Sequence, residues 1–533
     1  MLLSLIPQLV FAIPPDQANP GEHAAVVISE LNLPDHVYDR VVANHYGAVL
    51  DTKPVRLNKN SFKKIWLENE QRYLNADSKA LVGQFVNLPL LAGEVIRLNV
   101  EKVEMLLEGI DVVTYSGIVD GYPDSRFVFS IEDDVIYGDV KFDQYVYKLH
   151  TTEDNNPRQI MSKINPRLMP RDTEDDVSDL DKMVSEIPPE IKSSNGGGNV
   201  RVLFLYASNV YNPNVKISTL ISNFNWIKNN SQVSSSRFIS SAGTKMINNT
   251  FTSASMCKNN IVNYYMPNNT NGFETLNVDM SSNYADVAFM ILNGPSGHSF
   301  CSTDFPLLSG HIGGQVSDIF NSASPYGVVA DNYLSGAADY TGVHELGHIF
   351  GGHHPDTVTT INQGVINIYK QWQTIMGFYK KNTVCEFIGP TANNCDRLPF
   401  FSNPNITYNG DPLGSSNANM GTYLNSSMYS ASNWESEPVP PPAAPTSLSV
   451  TSGQCYGFNE INWNSSNNAT SYQLYRSTHP YFYSPTLVYS GGLTSSFVHV
   501  SSSGWYLKVK ACNAAGCSGY SNQVFAAYTN YCQ

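Results

Sequence analysis

The sequence predicts a multidomain protein with a mainly β domain, then an α/β domain, then a C-terminal β-sandwich. Three observations predict this architecture. The chain has 533 residues, which is more than one hydrophobic core normally serves. Short strand-like stretches separated by turn residues occupy both ends of the chain, whereas strand-like and helix-like stretches alternate in the middle. Two stretches of linker composition separate the three parts.

The composition indicates folded domains and disfavours two classes of partner. Apolar residues make up 42% of the chain and charged residues 15%, which suits ordered domains rather than disorder. A formal net charge of -14, with no basic run, disfavours binding to nucleic acid. Beyond the N-terminus, no stretch reaches the roughly 20 apolar residues that a membrane helix needs. We therefore expect no nucleic-acid partner and no membrane span.

The N-terminus and the cysteines indicate export. Residues 1–12 are apolar and end in small residues, which predicts a signal peptide and a secreted protein. This run is short and lacks a charged start, so a buried strand is the alternative. All eight cysteines follow residue 256 and none is spaced as CxxC, which favours disulfides formed in an oxidising compartment. We pair Cys512 with Cys517 and Cys455 with Cys532, although sequence alone does not determine connectivity.

Residues 13–170 form the predicted mainly β domain. It contains strand-like stretches such as 112–115 and 145–149, with turns such as 120–124 between them. The following segment, 171–198, is acidic and ends in glycines, so it buries too little apolar surface to order itself. We expect this segment to be a linker that proteases reach.

Residues 199–435 form the predicted α/β domain. The apolar runs 200–206 and 285–292 are typical of buried strands. Asn-Pro at 212–213 predicts the start of a helix, with the asparagine as N-cap. Apolar residues then recur at helical spacing: Ile217, Leu220, Ile221, Phe224 and Ile227. A second helix is expected around His344, so strands and helices alternate along this domain.

The last two segments are a spacer and a second β domain. Residues 436–446 are rich in proline, which predicts a semi-rigid linker. In 447–533 short strands recur with turns between them, which predicts a β-sandwich. Trp463, the stretch 472–476 and the ending from Cys512 onwards resemble a fibronectin type III domain.

One motif carries the predicted chemistry. Residues 344–354 read HELGHIFGGHH, which contains HExxHxxGxxH. On a helix, His344 and His348 project from one face about 6 Å apart along the axis. Gly351 lets the chain turn sharply, so that His354 supplies a third imidazole. Three neutral imidazoles leave one coordination position open, which is typical of a catalytic zinc site.

Glu345 is the predicted general base of this site. It lies one residue after the first histidine, offset by about 100° around the helix, so it reaches a water on the metal without being a ligand. His353 neighbours the third ligand, but the spacing of the motif favours His354 in that position. We expect His353 to be exposed or to support the ligands.

The motif and its surroundings resemble the metzincin clan of zinc metalloproteases, and within it the bacterial reprolysin-like and peptidyl-Asp metalloendopeptidase group. Residues 374–379 resemble the Met-turn, which implies that Met376 forms an apolar floor beneath the histidines. Part of 397–425 resembles the segment that closes the specificity pocket, and 119–149 resembles the propeptide. The resemblance implies a twisted sheet, an active-site helix and a Met-turn within 199–435, one catalytic zinc ion, and endopeptidase activity.

Two positions depart from the pattern of the clan. The third histidine is followed by Pro355 and then Asp356, where reprolysins have the acid directly. Phe378 stands two residues after the methionine, where some metzincins have a tyrosine. Tyr379 is then the candidate for supporting the oxyanion or the metal.

The resemblance also implies a zymogen that is activated by cleavage within 171–198. No cysteine precedes Cys257, so a propeptide thiolate cannot bind the zinc. We expect steric cover of the cleft, or a propeptide carboxylate with Asp120 and Asp124 as candidates. The alternative for these two aspartates is that they only shape their turn.

Two other functions fit the sequence less well. One is a binding protein with a vestigial zinc site, in which the C-terminal domain attaches to a surface or matrix; the intact Glu345 disfavours it. The other is a zinc hydrolase with a non-peptide substrate, which the Met-turn context disfavours. The predicted partners are protein or peptide substrates, and a surface or matrix for the C-terminal domain. No motif identifies ligands for a structural calcium ion.

Overall fold

The chain divides into two compact units, Met1–Glu435 and Ser436–Gln533. No helix in the part that the structure describes is long and apolar enough to cross a membrane. In this computed structural model the described residues are 23–24, 26–28, 48–58, 62, 65, 84–91, 93–107, 109–152, 157–166, 198–249, 261, 265–293, 314–316, 325–330, 340–355, 361–367, 372–377, 395–435, 442–451, 457–513 and 516–528. The predicted signal peptide and almost all of the predicted linker 171–198 lie outside them.

A ten-stranded sheet forms the N-terminal part of the first unit. Its strands are β1 (His23–Ala24), β2 (Val26–Ile28), β3 (Val49–Leu57), β4 (Phe85–Pro89), β5 (Val95–Glu104), β6 (Val113–Val119), β7 (Tyr122–Glu132), β8 (Val135–Phe142), β9 (Tyr145–Thr151) and β10 (Gln159–Ile164). They pair in the order β1-β4-β5-β6-β7-β8-β9-β10-β3-β2, and all pairs except β1 with β4 are antiparallel. The prediction of a mainly β region is confirmed.

Three short turns explain why β6 to β9 follow one another as neighbours. Two residues separate each strand from the next, and the turns contain Gly121, Asp133 and Asp143 at φ 80°, 50° and 57°. Glycine and aspartate tolerate this left-handed conformation better than most residues, and a two-residue loop of this kind reverses the chain directly. The β6–β9 part of the meander therefore follows from local turn chemistry.

The described residues of the second half of the first unit form a five-stranded sheet and four helices. The strands of this sheet are β11 (Asn199–Ala207), β12 (Phe238–Ile247), β13 (Val287–Leu292), β14 (Gly314–Val316) and β15 (Tyr326–Ala330). The helices are α1 (Pro213–Asn230), α2 (Leu276–Ser282), α3 (Thr341–Ile349) and α4 (Met420–Ala431). The strand order is β12-β11-β13-β15-β14, with only the edge strand β14 antiparallel. The apolar runs predict β11 and β13, but nothing singles out β12, which mixes polar and apolar residues.

Short strands complete this unit beyond α3. They are β16 (Ile366–Asn367), β17 (Trp372–Gln373), β18 (Asp396–Arg397), β19 (Asn403–Tyr408) and β20 (Asp411–Leu413). The first three form one small sheet and the last two form a hairpin. Trp372 and Leu413 are buried in a small separate core of this region.

Helix α1 is buried on its apolar and its polar side. The apolar side packs in the core between the five-stranded sheet and α3, where the Phe224 ring lies 5.5 Å from that of Phe350. Asn212 precedes the helix as predicted, but its side chain makes no capping hydrogen bond. A capping side chain requires an extended backbone, whereas Asn212 is left-handed with φ 48°. The predicted position of the N-cap is confirmed, and this cap lacks a side-chain hydrogen bond.

The polar side of α1 faces the N-terminal sheet. The hydroxyl oxygen of Thr219 lies 2.8 Å from that of Ser130 on β7, which in turn lies 2.8 Å from that of Thr114 on β6. The Arg126 guanidinium stacks 4.2 Å over the Trp226 ring. Burial lowers the pKa of Arg126 to about 10, so the group stays cationic at neutral pH. The hydroxyls of Thr219, Ser130 and Thr114 thus satisfy one another at this interface.

The second unit is a β-sandwich. Its strands are β21 (Ser449–Thr451), β22 (Phe458–Asn462), β23 (Ser471–Ser477), β24 (Thr486–Gly491), β25 (Ser495–His499), β26 (Trp505–Asn513), β27 (Gly516–Cys517) and β28 (Val524–Ala526). One sheet has the order β21-β22-β25; in the other, β24-β23-β26-β27, β28 also pairs with β26. Trp463 and Leu474 lie in the core between them. Cys512 and Cys517 form the predicted disulfide, whereas Cys455 and Cys532 lie outside the described residues.

Candidate metal centre

Helix α3 and the turn after it bring three histidines together. His344 and His348 lie one helical turn apart on α3, as their spacing predicts. The helix ends at Ile349, and Gly351 follows with φ 90°, a conformation that favours glycine. The chain thereby reverses and places His354 against the first two histidines.

The three imidazoles converge on one point. The Nε2 atom of His348 lies 3.0 Å from that of His344 and 3.0 Å from that of His354, and the third side of this triangle measures 3.1 Å. All three side chains are buried. Among the described residues, these three form a group of potential ligands close enough to hold one ion.

Backbone carbonyls determine which nitrogen of two histidines carries the proton. The Nδ1 atom of His344 lies 2.7 Å from the carbonyl oxygen of Ile375, and that of His348 lies 2.7 Å from the carbonyl oxygen of Gly352. A carbonyl oxygen only accepts hydrogen bonds, so each Nδ1 must donate. In the neutral imidazoles the Nε2 atoms therefore carry lone pairs, and two of these lone pairs face each other at 3.0 Å.

Facing lone pairs repel unless a cation lies between them, so this donor set fits a metal ion. Zinc prefers neutral imidazole nitrogens at about 2.0–2.1 Å, which places tetrahedral ligands about 3.3 Å from one another. The triangle of 3.0–3.1 Å is close to that spacing. A histidine Nδ1–H that donates to a carbonyl is also the usual way of orienting a metal-binding imidazole.

The two other predicted site residues, Glu345 and Met376, both lie at helix α3. Glu345 is buried on the same helix, next to His344. Met376 packs against α3 from below: a Cβ built at Gly347 would collide with the Met376 sulfur. Packing therefore explains why residue 347 is a glycine, because any side chain there would displace Met376.

A segment that the sequence analysis did not single out holds the turn carrying the third histidine. The side-chain amide of the buried Asn362 donates to the carbonyl of Gly351. The backbone amide of His353 donates to the Asn362 carbonyl at 3.0 Å, and that of Gly364 donates to the His353 carbonyl at 2.9 Å. No pattern in the sequence identifies Asn362, because its partners lie eleven residues away and its neighbours form no regular element.

Other predicted residues lie elsewhere. His353 is buried rather than exposed, and burial, together with the nearby His348, lowers its pKa to about 4. Asp120 pairs with the Arg97 guanidinium, and no described acidic side chain joins the three histidines as a ligand. Tyr379, Phe378 and Asp356 lie outside the described residues.

This site defines a class: a buried three-histidine centre with an adjacent buried glutamate. No protein-family model matches the chain. Two curated proteins described as peptidyl-Asp metalloendopeptidase are similar to part of it. The one from Xanthomonas campestris pv. campestris is 30% identical over 146 residues, covering 26% of this chain and 28% of the relative. The one from Stenotrophomonas maltophilia is 27% identical over 157 residues, covering 28% and 31%. The chain thus spans less than a third of the length of these relatives.

Solved fibronectin type III structures are similar to a small part of the chain. An Fn3-like protein from Clostridium thermocellum is 23% identical and matches 16% of this chain and 94% of its own, with a TM-score of 0.16. A domain of human fibronectin type III domain containing protein 3 is 22% identical and matches 18% and 94%, with a TM-score of 0.15. The strand pairing of the second unit by itself defines two sheets packed around one core.

Proposed function

We propose that this protein is a zinc-dependent endopeptidase of the metzincin type. The observation that carries the proposal is the convergence of imidazole lone pairs on one buried point, with the proton on His344 and His348 held away from it by carbonyls. The partial similarity to two metalloendopeptidases supports peptide bonds as the target. His344, His348 and His354 would hold the ion.

The residues of the site have separate roles in this proposal. A bound zinc ion supplies Lewis acidity, which polarises a peptide carbonyl and makes water a stronger acid. Glu345 accepts the proton of the attacking water and delivers it to the leaving amine. Met376 packs against Gly347 on α3, between the two histidines of that helix, and so helps to hold them in position. Burial of the glutamate strengthens its electrostatic influence on the reacting groups.

We further propose that residues 13–170 act as a propeptide and that the chain is secreted. The N-terminal sheet has a hydrophobic core of its own, which supports its folding as a separate part of the chain. The candidate carboxylate Asp120 is engaged by Arg97, which favours cover of the cleft over ligation of the zinc. Cleavage within 171–198 would release the enzyme.

Cleavage of a mixed peptide library by the activated protein tests the activity. Glu345→Gln should keep about one equivalent of zinc and lower kcat by about 10³-fold or more, since general-base catalysis contributes up to about 10⁴. Glu274→Gln, at an exposed glutamate far from the motif in sequence, is the matched control and should cleave normally. Zinc retained without any cleavage, after removal of the linker, would favour the binding-protein alternative.

A further inference from the structure

An exposed cluster of aromatic rings lies in the loop between β23 and β24. Tyr481 and Tyr483 are 76% and 65% exposed, and His479 is exposed beside them. The imidazole centroid lies 5.4 Å from the Tyr481 ring and 4.8 Å from the Tyr483 ring, and the two phenols are 6.1 Å apart. The planes differ by 35–43°, so the three rings form one compact, tilted cluster on the loop.

This loop holds its rings outward by specific contacts. Phe482, between the two tyrosines, is buried; its ring meets Tyr520 edge-on at 5.3 Å and lies under the Lys508 ammonium. The Ser477 hydroxyl donates to the Tyr483 carbonyl at 2.8 Å, and the Tyr481 amide donates to Nδ1 of His479 at 3.2 Å. The loop is thus anchored at its centre and hydrogen-bonded at both ends.

The backbone of the loop is strained at two positions. Phe482 and Ser484 have φ values of 59° and 47°, which are unfavourable for residues other than glycine. A chain keeps such conformations where the surrounding contacts require them, and they concentrate at binding sites. Here the strain turns Phe482 inward and so points both neighbouring tyrosines into solvent.

The composition of the second unit indicates what such a surface binds. Residues 436–533 contain ten tyrosines but only five charged side chains, Glu437, Glu460, Arg476, Lys508 and Lys510. A surface so poor in charge offers little complementarity to a polyanion or a charged peptide. Three rings also cover far less than the roughly 800 Å² per partner of a stable protein interface. A neutral polymer with hydroxyl groups fits both limits.

We propose that His479, Tyr481 and Tyr483 form a binding platform for a neutral polysaccharide. The C–H bonds on one face of a sugar ring carry partial positive charge and pack on the negative faces of aromatic rings. Sugar hydroxyls bond to the phenol oxygens and the imidazole at the rim. Because the platform is held in place before binding, little conformational freedom is lost when a sugar stacks on it.

Co-sedimentation of the full-length protein with insoluble cellulose, chitin and β-1,3-glucan tests the proposal. We expect retention on at least one of them, with little change up to about 0.5 M NaCl because no charges pair. The Y481A/Y483A variant should bind about tenfold or more weakly, since truncating central aromatic anchors removes most of the affinity of a small site. Y481F/Y483F keeps the stacking faces and should retain most of the binding.

The matched control is L493A/F497A, which removes two side chains exposed to 68% and 60% in another loop and strand of the same sandwich. It should bind like the unchanged protein. No retention on any of the three polymers, or equal binding by Y481A/Y483A and L493A/F497A, overturns the proposal. Binding that salt abolishes also overturns it and assigns the interaction to Arg476, Lys508 and Lys510. Circular dichroism of each variant verifies that the sandwich is folded.

Discussion

The metal centre and the interface between α1 and the N-terminal sheet both bury polar groups, yet they differ in whether those groups satisfy one another. At the interface, Thr219, Ser130 and Thr114 form a chain of hydroxyls in which each group can donate and accept. At the metal centre, His344 and His348 direct two acceptors at each other. Two acceptors that face each other repel, and a cation between them removes the repulsion, so the second arrangement fits a metal ion and the first needs none.

The largest expected effect comes from removing one of the three histidines that converge at the metal centre. His348→Ala should lower the bound zinc from about one equivalent to about a tenth or less after dialysis, because a set of only three protein ligands loses one of them. His353→Ala, at a buried histidine outside the triangle, is the matched control and should keep the metal. Atomic emission measures the zinc content of both variants. Equal zinc in the two would contradict the assignment of ligands.

Asn362→Ala should lower the affinity for the metal without removing a ligand. Loss of the amide that holds the Gly351 carbonyl loosens the turn before His354, and groups that orient ligands typically contribute 10–100-fold to metal affinity, so we expect about that loss. Competition with a chelator measures the affinity. The absorption spectrum of the cobalt-substituted protein should also change, which a general loss of stability would not cause.

Asn225→Ala provides the control for that change. The Asn225 side-chain amide also donates to a backbone carbonyl, that of Ile239, at 2.9 Å. This hydrogen bond joins α1 to β12 and does not involve the turn before His354. It should lower the melting temperature and leave the cobalt spectrum unchanged. If both variants shift the spectrum, or neither does, Asn362 is not a positioning residue for His354.

Gly347→Ala tests the packing beneath the histidines. The new Cβ would collide with the sulfur of Met376, and overpacking a buried site costs about 1–3 kcal/mol of unfolding free energy. Combining it with Met376→Ala should restore part of the loss. Gly519→Ala, where a Cβ meets no atom within 4 Å, is the control in urea denaturation. An additive double variant would mean that the two residues do not contact each other.

Thr219→Val should have the smallest effect. It removes one member of the hydroxyl chain and should cost about 1 kcal/mol, the usual net value of a buried hydrogen bond. Ser218→Ala, at the preceding position of α1, is the control. Among the described residues, the buried Ser218 hydroxyl has no hydrogen-bond partner. Loss of stability in both, or in neither, would remove the contrast between satisfied and unsatisfied groups. Denaturant midpoints measure both.

Local patterns predict the elements that are strongly periodic or strongly apolar. The helix from Pro213, the buried strands β11 and β13, and the N-terminal meander all follow from apolar spacing and turn residues. Strand β12 was not predicted, because its residues Phe238–Ile247 are mostly polar or small, and parallel pairing with β11 decides its conformation. Asn212 occupies the predicted N-cap position, but its left-handed backbone keeps its side chain from bonding to the first turn of α1.

By itself, the sequence determined which side chains can meet at the metal centre, because helical geometry places His344 and His348 on one face and Gly351 permits the return of His354. Only the tertiary structure decided how those side chains are oriented and which ring nitrogen carries the proton. The carbonyl that orients His344 lies 31 residues further along the chain, and Asn362 reaches back eleven residues to hold the turn. Such contacts depend on how distant segments pack, and no local periodicity records that.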